Sequence, residues 1–321
     1  MKKKNPKNKD LIGKQKYTVS DSNSEWVLYH NNFSLCSRKV RICLEEYKID
    51  YLPVHIHIIE TKDCENLSKD FLKINPKATV PVLLHNNQPI YESHEQIRYL
   101  METFPNKLGE SETVDYWNKK GSLVGDDPVS GIKEYAGNCV SLLTQPLFVS
   151  MLRKISFFKF FNYFIKHPSK FRALNFTLYR LLGYSVFNKN SPHQRVAIKA
   201  FENLKSHMIS LDGHLENKIW IDGDKFSIAD ITWMTLLHRL DEVNLVELFT
   251  GKLNNLRDYY SRLKNRESFS SCIIEFSSET IDSGTKNLRE DIQKVSNLRQ
   301  LYNSFENLRQ LYNSFESNPL P

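Results

Sequence analysis

Cys36 stands in the run Ser34-Leu35-Cys36-Ser37, between a short apolar stretch, Trp26 to Tyr29, and a stretch of helical spacing from Arg38 to Tyr47. That order places the thiol at or near a helix N-terminus. Free amide donors and the positive end of the helix dipole there lower a thiol's pKa and favour the nucleophilic thiolate. Three positions on stands Lys39, not a second cysteine, so a dithiol redox pair is absent and Cys36 has to work with an external thiol. The competing reading is a small buried filler, a common use of free cysteine. Cys43, Cys64, Cys139 and Cys272 have no helix-start context and read as structural.

Two further places suit a small peptide. Val80-Pro81 follows a loop and opens a strand, where a cis bond turns the preceding N–H and C=O outward for an extended chain to pair with. Glu92-Ser93 falls where a hairpin ends and a helix begins, so amide, hydroxyl and carboxylate can grip a charged peptide end. Taken alone, that dipeptide is only a helix start. The ten histidines yield no metal constellation, because His55 and His57 alternate along a strand without a cysteine or carboxylate at a ligand spacing. A nicotinamide fingerprint and a phosphate-binding P-loop are missing.

The elements that must position these residues begin with the strand Trp26 to Tyr29, ending at His30-Asn31-Asn32. A helix follows over Arg38 to Tyr47. Tyr51 to Ile59 alternates as a strand that Pro53 restricts to a sheet edge or to strand entry. Ser68 to Ile74 gives one or two helical turns stopped by Asn75-Pro76. Val80 to Leu84, the turn Asn86-Asn87 and Pro89 to Tyr91 make a hairpin, and a helix runs from Ser93 to Phe104. The order β-α-β-α-β-β-α is that of a thioredoxin-like domain.

Beyond the linker Pro105 to Glu112 the pattern turns helical throughout. Ser191-Pro192 opens a helix whose apolar stripe is Ala197, Phe201, Leu204, Met208, Leu211 and Leu215. Ser227 and Asp230 make a capping box, with Phe226 and Ile231 placed as a hydrophobic staple. The tail repeats NLRQLYNSFE at Asn297 to Glu306 and again at Asn307 to Glu316. Two copies are too few for a solenoid, which leaves a duplication without a catalytic role or an extra docking helix. The divisions are a flexible basic arm over 1–24, a thioredoxin-like domain over 25–105, an all-helical domain over 112–272 and a tail over 273–321.

A length of 321 residues and 25% charged residues fit a globular chain of two domains with tails. Much of the net charge of +7 lies in the opening MKKKNPKNKDLIGKQK, read as a solvated arm and not as a nucleic-acid site. No apolar stretch of the ~7–15 residues of a secretory signal follows those lysines. Five scattered cysteines make no disulfide framework, so the expected compartment is the cytoplasm. Arg153, Lys154, Lys159 and Lys166 interrupt the aromatic stretch Phe148 to Phe187, so no transmembrane segment is expected.

In order and spacing, WVLYHNNFSLCSRKVRICLEE, NPKATVPVLLHNNQPIYES and FSIADITWMTLLHRL resemble the glutathione transferase superfamily over roughly Trp26 to Cys272. The Ser-x-Cys-Ser run is similar to zeta-type members, the maleylacetoacetate isomerases, and more so to tetrachlorohydroquinone reductive dehalogenases, as is Leu211 through Arg266. The resemblance implies an α/β thioredoxin-like N-terminal domain followed by an all-α C-terminal domain. It implies that Cys36 faces the glutathione sulfur with Ser34 and Ser37 polarising the thiol, and that Val80 before cis-Pro81 pairs with the tripeptide backbone. It gives Glu92 and Ser93 the γ-glutamyl end, and it implies a homodimer. The implied activity is glutathione-dependent attack on a small electrophile, with Cys36 assisting the thiolate or resolving a mixed disulfide. Alternatives are cis-trans isomerisation, or a non-enzymatic binding protein of the same fold that uses Phe157 to Arg180 or the tail repeats on a partner or membrane surface.

Overall fold

A computed structural model describes residues 11–61, 63–125 and 127–316, the stretch 311–316 by backbone alone. The lysine-rich residues 1–10 lie outside the described residues. The sheet has five strands, β1 (Gly13–Lys14), β2 (Trp26–His30), β3 (Leu52–His55), β4 (Val82–His85) and β5 (Gln88–Tyr91), in the order β1-β5-β4-β2-β3. Among the described strands of this sheet only β2 and β3 pair in parallel, with Leu28 opposite Pro53. The helix α1 (Leu35–Glu46) provides the crossover between them. Proline costs nothing here because β3 is an edge strand with one paired side. In the hairpin, Asn86 and Asn87 have φ of 50° and 63°, the two positive values that a type I′ turn demands and asparagine tolerates. Short helices α2 (Lys69–Ile74) and α3 (Ser93–Thr103) complete this layer.

One correction concerns the arm. Residues 11–24 are not free, because β1 pairs antiparallel with β5, Gly13 against Tyr91 and Lys14 against Ile90. Leu11 is fully buried in a small cluster with Val27, Phe71, Val82, Leu84 and Tyr91. A two-residue strand carries no alternation for the sequence to display, whereas a single leucine plugging the outer sheet face is a tertiary fact.

The helical part begins with α4 (Glu112–Gly121), α5 (Ala136–Leu143), α6 (Gln145–Leu152), α7 (Phe157–Lys166) and α8 (Lys170–Leu182). It continues through α9 (Pro192–His214), α10 (Ile228–Glu242), α11 (Val246–Thr250), α12 (Asn254–Lys264), α13 (Glu267–Phe269), α14 (Glu279–Lys294) and α15 (Ser296–Glu316). Serine hydroxyls accept from first-turn amides at the starts of α1, α2, α4, α7, α8, α9 and α10, so local sequence chemistry sets these boundaries. The expected capping box forms: Asp230 accepts from the Ser227 amide at 2.8 Å, and it also takes the Ile221 amide at 2.9 Å. α10 packs on α1, so one apolar core runs across sheet layer and helical layer.

The part of the expected tail that is described, residues 273–316, packs as α14 against α6 and α15 against α9, in line with the reading of an extra docking helix. Leu298, Leu301, Tyr302 and Phe305 of the first repeat copy are buried, and Phe305 stacks on Phe201 with centroids 4.9 Å apart. An amphipathic stripe of this width needs an apolar partner face, and α9 supplies one. From Leu311 on, the side chains of the second copy lie outside the described residues.

Candidate functional site

Cys36 is the second residue of α1, one turn of chain beyond β2. Ser34 caps the helix: its Oγ accepts from the Ser37 amide at 3.2 Å and makes a long contact, 3.5 Å, to the Val80 carbonyl. The thiol thus belongs to the first turn of α1, whose amides have no intrahelical acceptor. Its side chain is partly exposed. The other cysteines are unsuited to thiolate chemistry, because burial pushes Cys64 and Cys139 up to about 12, Cys272 up to about 11 and Cys43 well above its ordinary value.

The Ser34 contact brings the second expected element alongside. The Val80–Pro81 bond is cis. Its segment is held from inside by amide side chains, with Gln96 Nε2 donating to the Pro81 carbonyl at 3.0 Å and Asn66 Nδ2 to the Ala78 carbonyl at 2.9 Å. Gln96 also donates to the Ile90 carbonyl at 2.8 Å, which fixes the hairpin end and hence Glu92. Glu92 sits at φ 67°, a left-handed conformation unusual for glutamate, with its carboxylate 3.1 Å from Lys77 Nζ. Ser93 is the buried first residue of α3. A carboxylate, an ammonium and a helix start thus lie together, a set that matches the zwitterionic end of a peptide.

Ser37 is fully buried and its hydroxyl accepts from the Asn31 amide at 3.2 Å, so it braces the loop before α1. Ser34, as the helix cap, acts on the backbone first.

Sequence reasoning passed over the groups that hold this loop. Arg38 binds both oxygens of Glu242 at 2.8 Å, and Arg239 Nε lies 2.9 Å from the same carboxylate. Arg38 also donates to the Asn32 carbonyl at 3.1 Å, while the Arg239 guanidinium donates to the Phe33 carbonyl and lies 3.9 Å over the Phe33 ring. Arg41 donates to the Cys272 carbonyl at 2.9 Å and to the Asn31 carbonyl at 3.3 Å. Burial, the largest influence, raises the Glu242 carboxyl, yet Arg239 and Arg38 together outweigh it and hold it well below the usual carboxylate range. The only sequence signal was three arginines within a few residues of an apolar helix and loop, which solvated faces show as often. Among the described residues no group of histidine, cysteine and carboxylate side chains is arranged to hold a metal ion. A cleft of about 440 Å³ between α6 and α14, bordered by Thr61, Ser150 and Lys154, does not include Cys36, Val80 or Glu92.

Comparison with known proteins fits this geometry. Residues 33–103 match the model of the glutathione S-transferase N-terminal domain, and residues 174–267 match that of its C-terminal domain. The chain belongs to the glutathione S-transferase family. Among curated relatives, a tetrachloro-p-hydroquinone reductive dehalogenase of Sphingobium chlorophenolicum is 27% identical over 75% of this chain and 93% of its own. Glutathione S-transferase TCHQD of Arabidopsis thaliana is 25% identical over 77% of this chain and 88% of its own. Among solved structures, the beta-etherase LigF of Sphingobium sp. strain SYK-6 superposes with a TM-score of 0.62 at 19% identity, covering 78% of this chain and 99% of that one. That likeness concerns the fold. In this transferase the stretch between the two matched segments includes the whole of α7.

Proposed function

We propose that the protein binds reduced glutathione in the groove between the start of α1, the cis-Pro81 segment and Glu92-Ser93, and turns its sulfur on a small electrophile. The carrying observation is the partly exposed Cys36 in the first turn of α1, tied through the Ser34 cap to Val80. Glutathione is consumed as a co-substrate. Its backbone pairs with Val80, its ammonium meets Glu92, and its γ-glutamyl carboxylate meets Lys77 and the α3 start. Glutathione thiolate attacks a halogenated quinol, forming a C–S bond as the halide departs. Cys36 thiolate then attacks the sulfur of that thioether, so an S–S bond forms, the C–S bond breaks, and its electron pair passes to the ring carbon, which takes up a proton. A second glutathione releases the first as the disulfide and restores Cys36. The name of the Sphingobium chlorophenolicum relative supports a dehalogenase-like substrate class.

The test is calorimetric titration of glutathione into wild type and Cys36→Ala, with mass spectrometry for a Cys36–glutathione adduct after one turnover on tetrachlorohydroquinone. Both proteins are expected to bind glutathione, and only wild type to trap the adduct and release dechlorinated ring. Full turnover by Cys36→Ala would remove the resolving role. Turnover on a maleyl substrate without net loss of glutathione would replace reduction by isomerisation. A homodimer is part of the proposal, checked by sedimentation equilibrium.

A further inference from the structure

Between Arg153 and Leu182 the chain carries seven lysines and arginines and no aspartate or glutamate. This stretch forms α7 and α8, joined through His167, Pro168 and Ser169. On α7, Phe160 and Tyr163 are buried, whereas Phe157, Phe158, Phe161, Phe164 and Ile165 face out, Phe158 with 82% of its surface and Phe161 with 57% exposed. At 100° per residue those five side chains occupy one arc of about 120°. α8 repeats the plan, with Ala173, Phe176 and Tyr179 buried and Phe171, Leu174, Leu181 and Leu182 exposed. Nine of the fifteen exposed large hydrophobic side chains among the described residues lie in these two helices, where single scattered ones are the norm for a soluble surface.

The charges of this segment are unbalanced. Lys159 pairs with Asp63, Arg172 binds Glu60 at 2.9 Å and Arg153 stands 3.6 Å from Asp291. Among the described residues, Lys154, Lys166, Lys170 and Arg180 have no carboxylate within ion-pair distance. A protein groove that buries an apolar helix face has no need of unpaired cations on the same segment, whereas a phosphate-bearing lipid surface uses both. A helix of ten residues spans ~15 Å, about half a bilayer's hydrocarbon core, so α7 can lie in the interface but not cross it. No helix among the described residues is long and apolar enough to cross a membrane.

We propose that the α7–α8 hairpin seats the protein on the surface of an anionic bilayer, with the exposed phenylalanines below the headgroups and Lys154, Lys166, Lys170 and Arg180 at phosphate level. The proposal is independent of the thiol chemistry. It is tested by flotation of the full chain with phosphatidylcholine vesicles, with and without phosphatidylserine, at low and high salt. Wild type floats with phosphatidylserine vesicles and detaches at high salt. Phe158→Ser combined with Phe161→Ser cuts the partition coefficient at least roughly tenfold, and Lys154→Gln combined with Lys166→Gln cuts it about fivefold per lysine. Both pairs are solvent-exposed, so circular dichroism stays that of wild type. A chain lacking residues 1–10 controls for the other lysine cluster and still depends on Phe158 and Phe161. Equal binding to both vesicle types, no effect of the phenylalanine pair, or complete loss on deleting residues 1–10 overturns the proposal. So does a halving of mass by light scattering in the phenylalanine variant without any lipid binding by wild type, which makes the face an interface between two copies.

Discussion

Replacing Glu242 by glutamine removes the one negative charge shared by Arg38 and Arg239 while keeping the side chain's size. The side chains of Arg38, Arg239 and Glu242 are 2%, 1% and 9% exposed, so solvent screens the pairs little. At an effective dielectric constant of ~20, each charge pair at close range is worth about 4 kcal/mol. The carboxylate's own desolvation offsets part of that, and breaking a buried pair costs about 3–5 kcal/mol on balance. A domain of this kind has only about 5–15 kcal/mol in total. Glu242→Gln should therefore shift the urea midpoint strongly downward, followed in parallel by tryptophan fluorescence and far-ultraviolet circular dichroism. Because the arginines also hold the Asn32 and Phe33 carbonyls, glutathione retention should fall along with stability. Replacing Arg38, Arg239 and Glu242 together by methionine should recover at least half of the lost stability, since no buried charge is then stranded. A loss under about 1 kcal/mol with unchanged denaturant slope refutes the reasoning, because the network would then be a passive contact.

Burial first, with Arg41 beside His30 and Arg172 beside His167, holds these two at about 3 and about 4, and burial with Arg38 and Arg239 outweighs the Glu242 carboxylate to hold His238 at about 4. A base depressed in the folded state takes up protons only in the unfolded chain, so its stabilisation is intact above about 6.5 and is lost as pH falls towards 4. Each contributes of order 3 kcal/mol at the lower end. Thermal melts from pH 7 to 4 should show a steep fall, blunted in His238→Phe, and a flat profile counts against it. Glu92→Asn relieves a glutamate at φ 67°, so the melting temperature should hold or rise, by up to ~1 kcal/mol in stability. Glutathione affinity should still drop tenfold or more with the carboxylate gone, and unchanged affinity removes Glu92 from the proposed site. Phe305→Ala empties the stack on Phe201 and should cost about 3–5 kcal/mol in urea unfolding. A loss near zero means that α15 is a detachable appendage.

Legibility followed the range of the interactions. The Asn86-Asn87 turn, the Ser191-Pro192 helix start and the Ser227/Asp230 capping box depend on chemistry within a few residues, and all stand where the pattern put them. Cys36 was legible for the same reason: strand, loop and helix start are adjacent in the chain. The bond from the Asn31 amide to the Ser37 hydroxyl was not legible, because residue type does not tell which way a first-turn hydroxyl points. Leu11, Gln96 and Lys77 drew no attention, since each matters only through partners brought in by the sheet.

By itself the sequence determined the Asn86-Asn87 turn, the starts of α9 and α10, the two-part plan and the location of the thiol, because capping, turn and periodicity signals are local. Only the tertiary structure decided that Arg38 and Glu242, 204 positions apart, would share one buried charge beneath the Cys36 loop. It alone decided that the tail closes the helical core and that the phenylalanines of α7 face outward. The physical reason is common to all three: apolar stripes and charges announce that they need a partner, but close packing of distant segments selects which partner, and whether any is left for the surface.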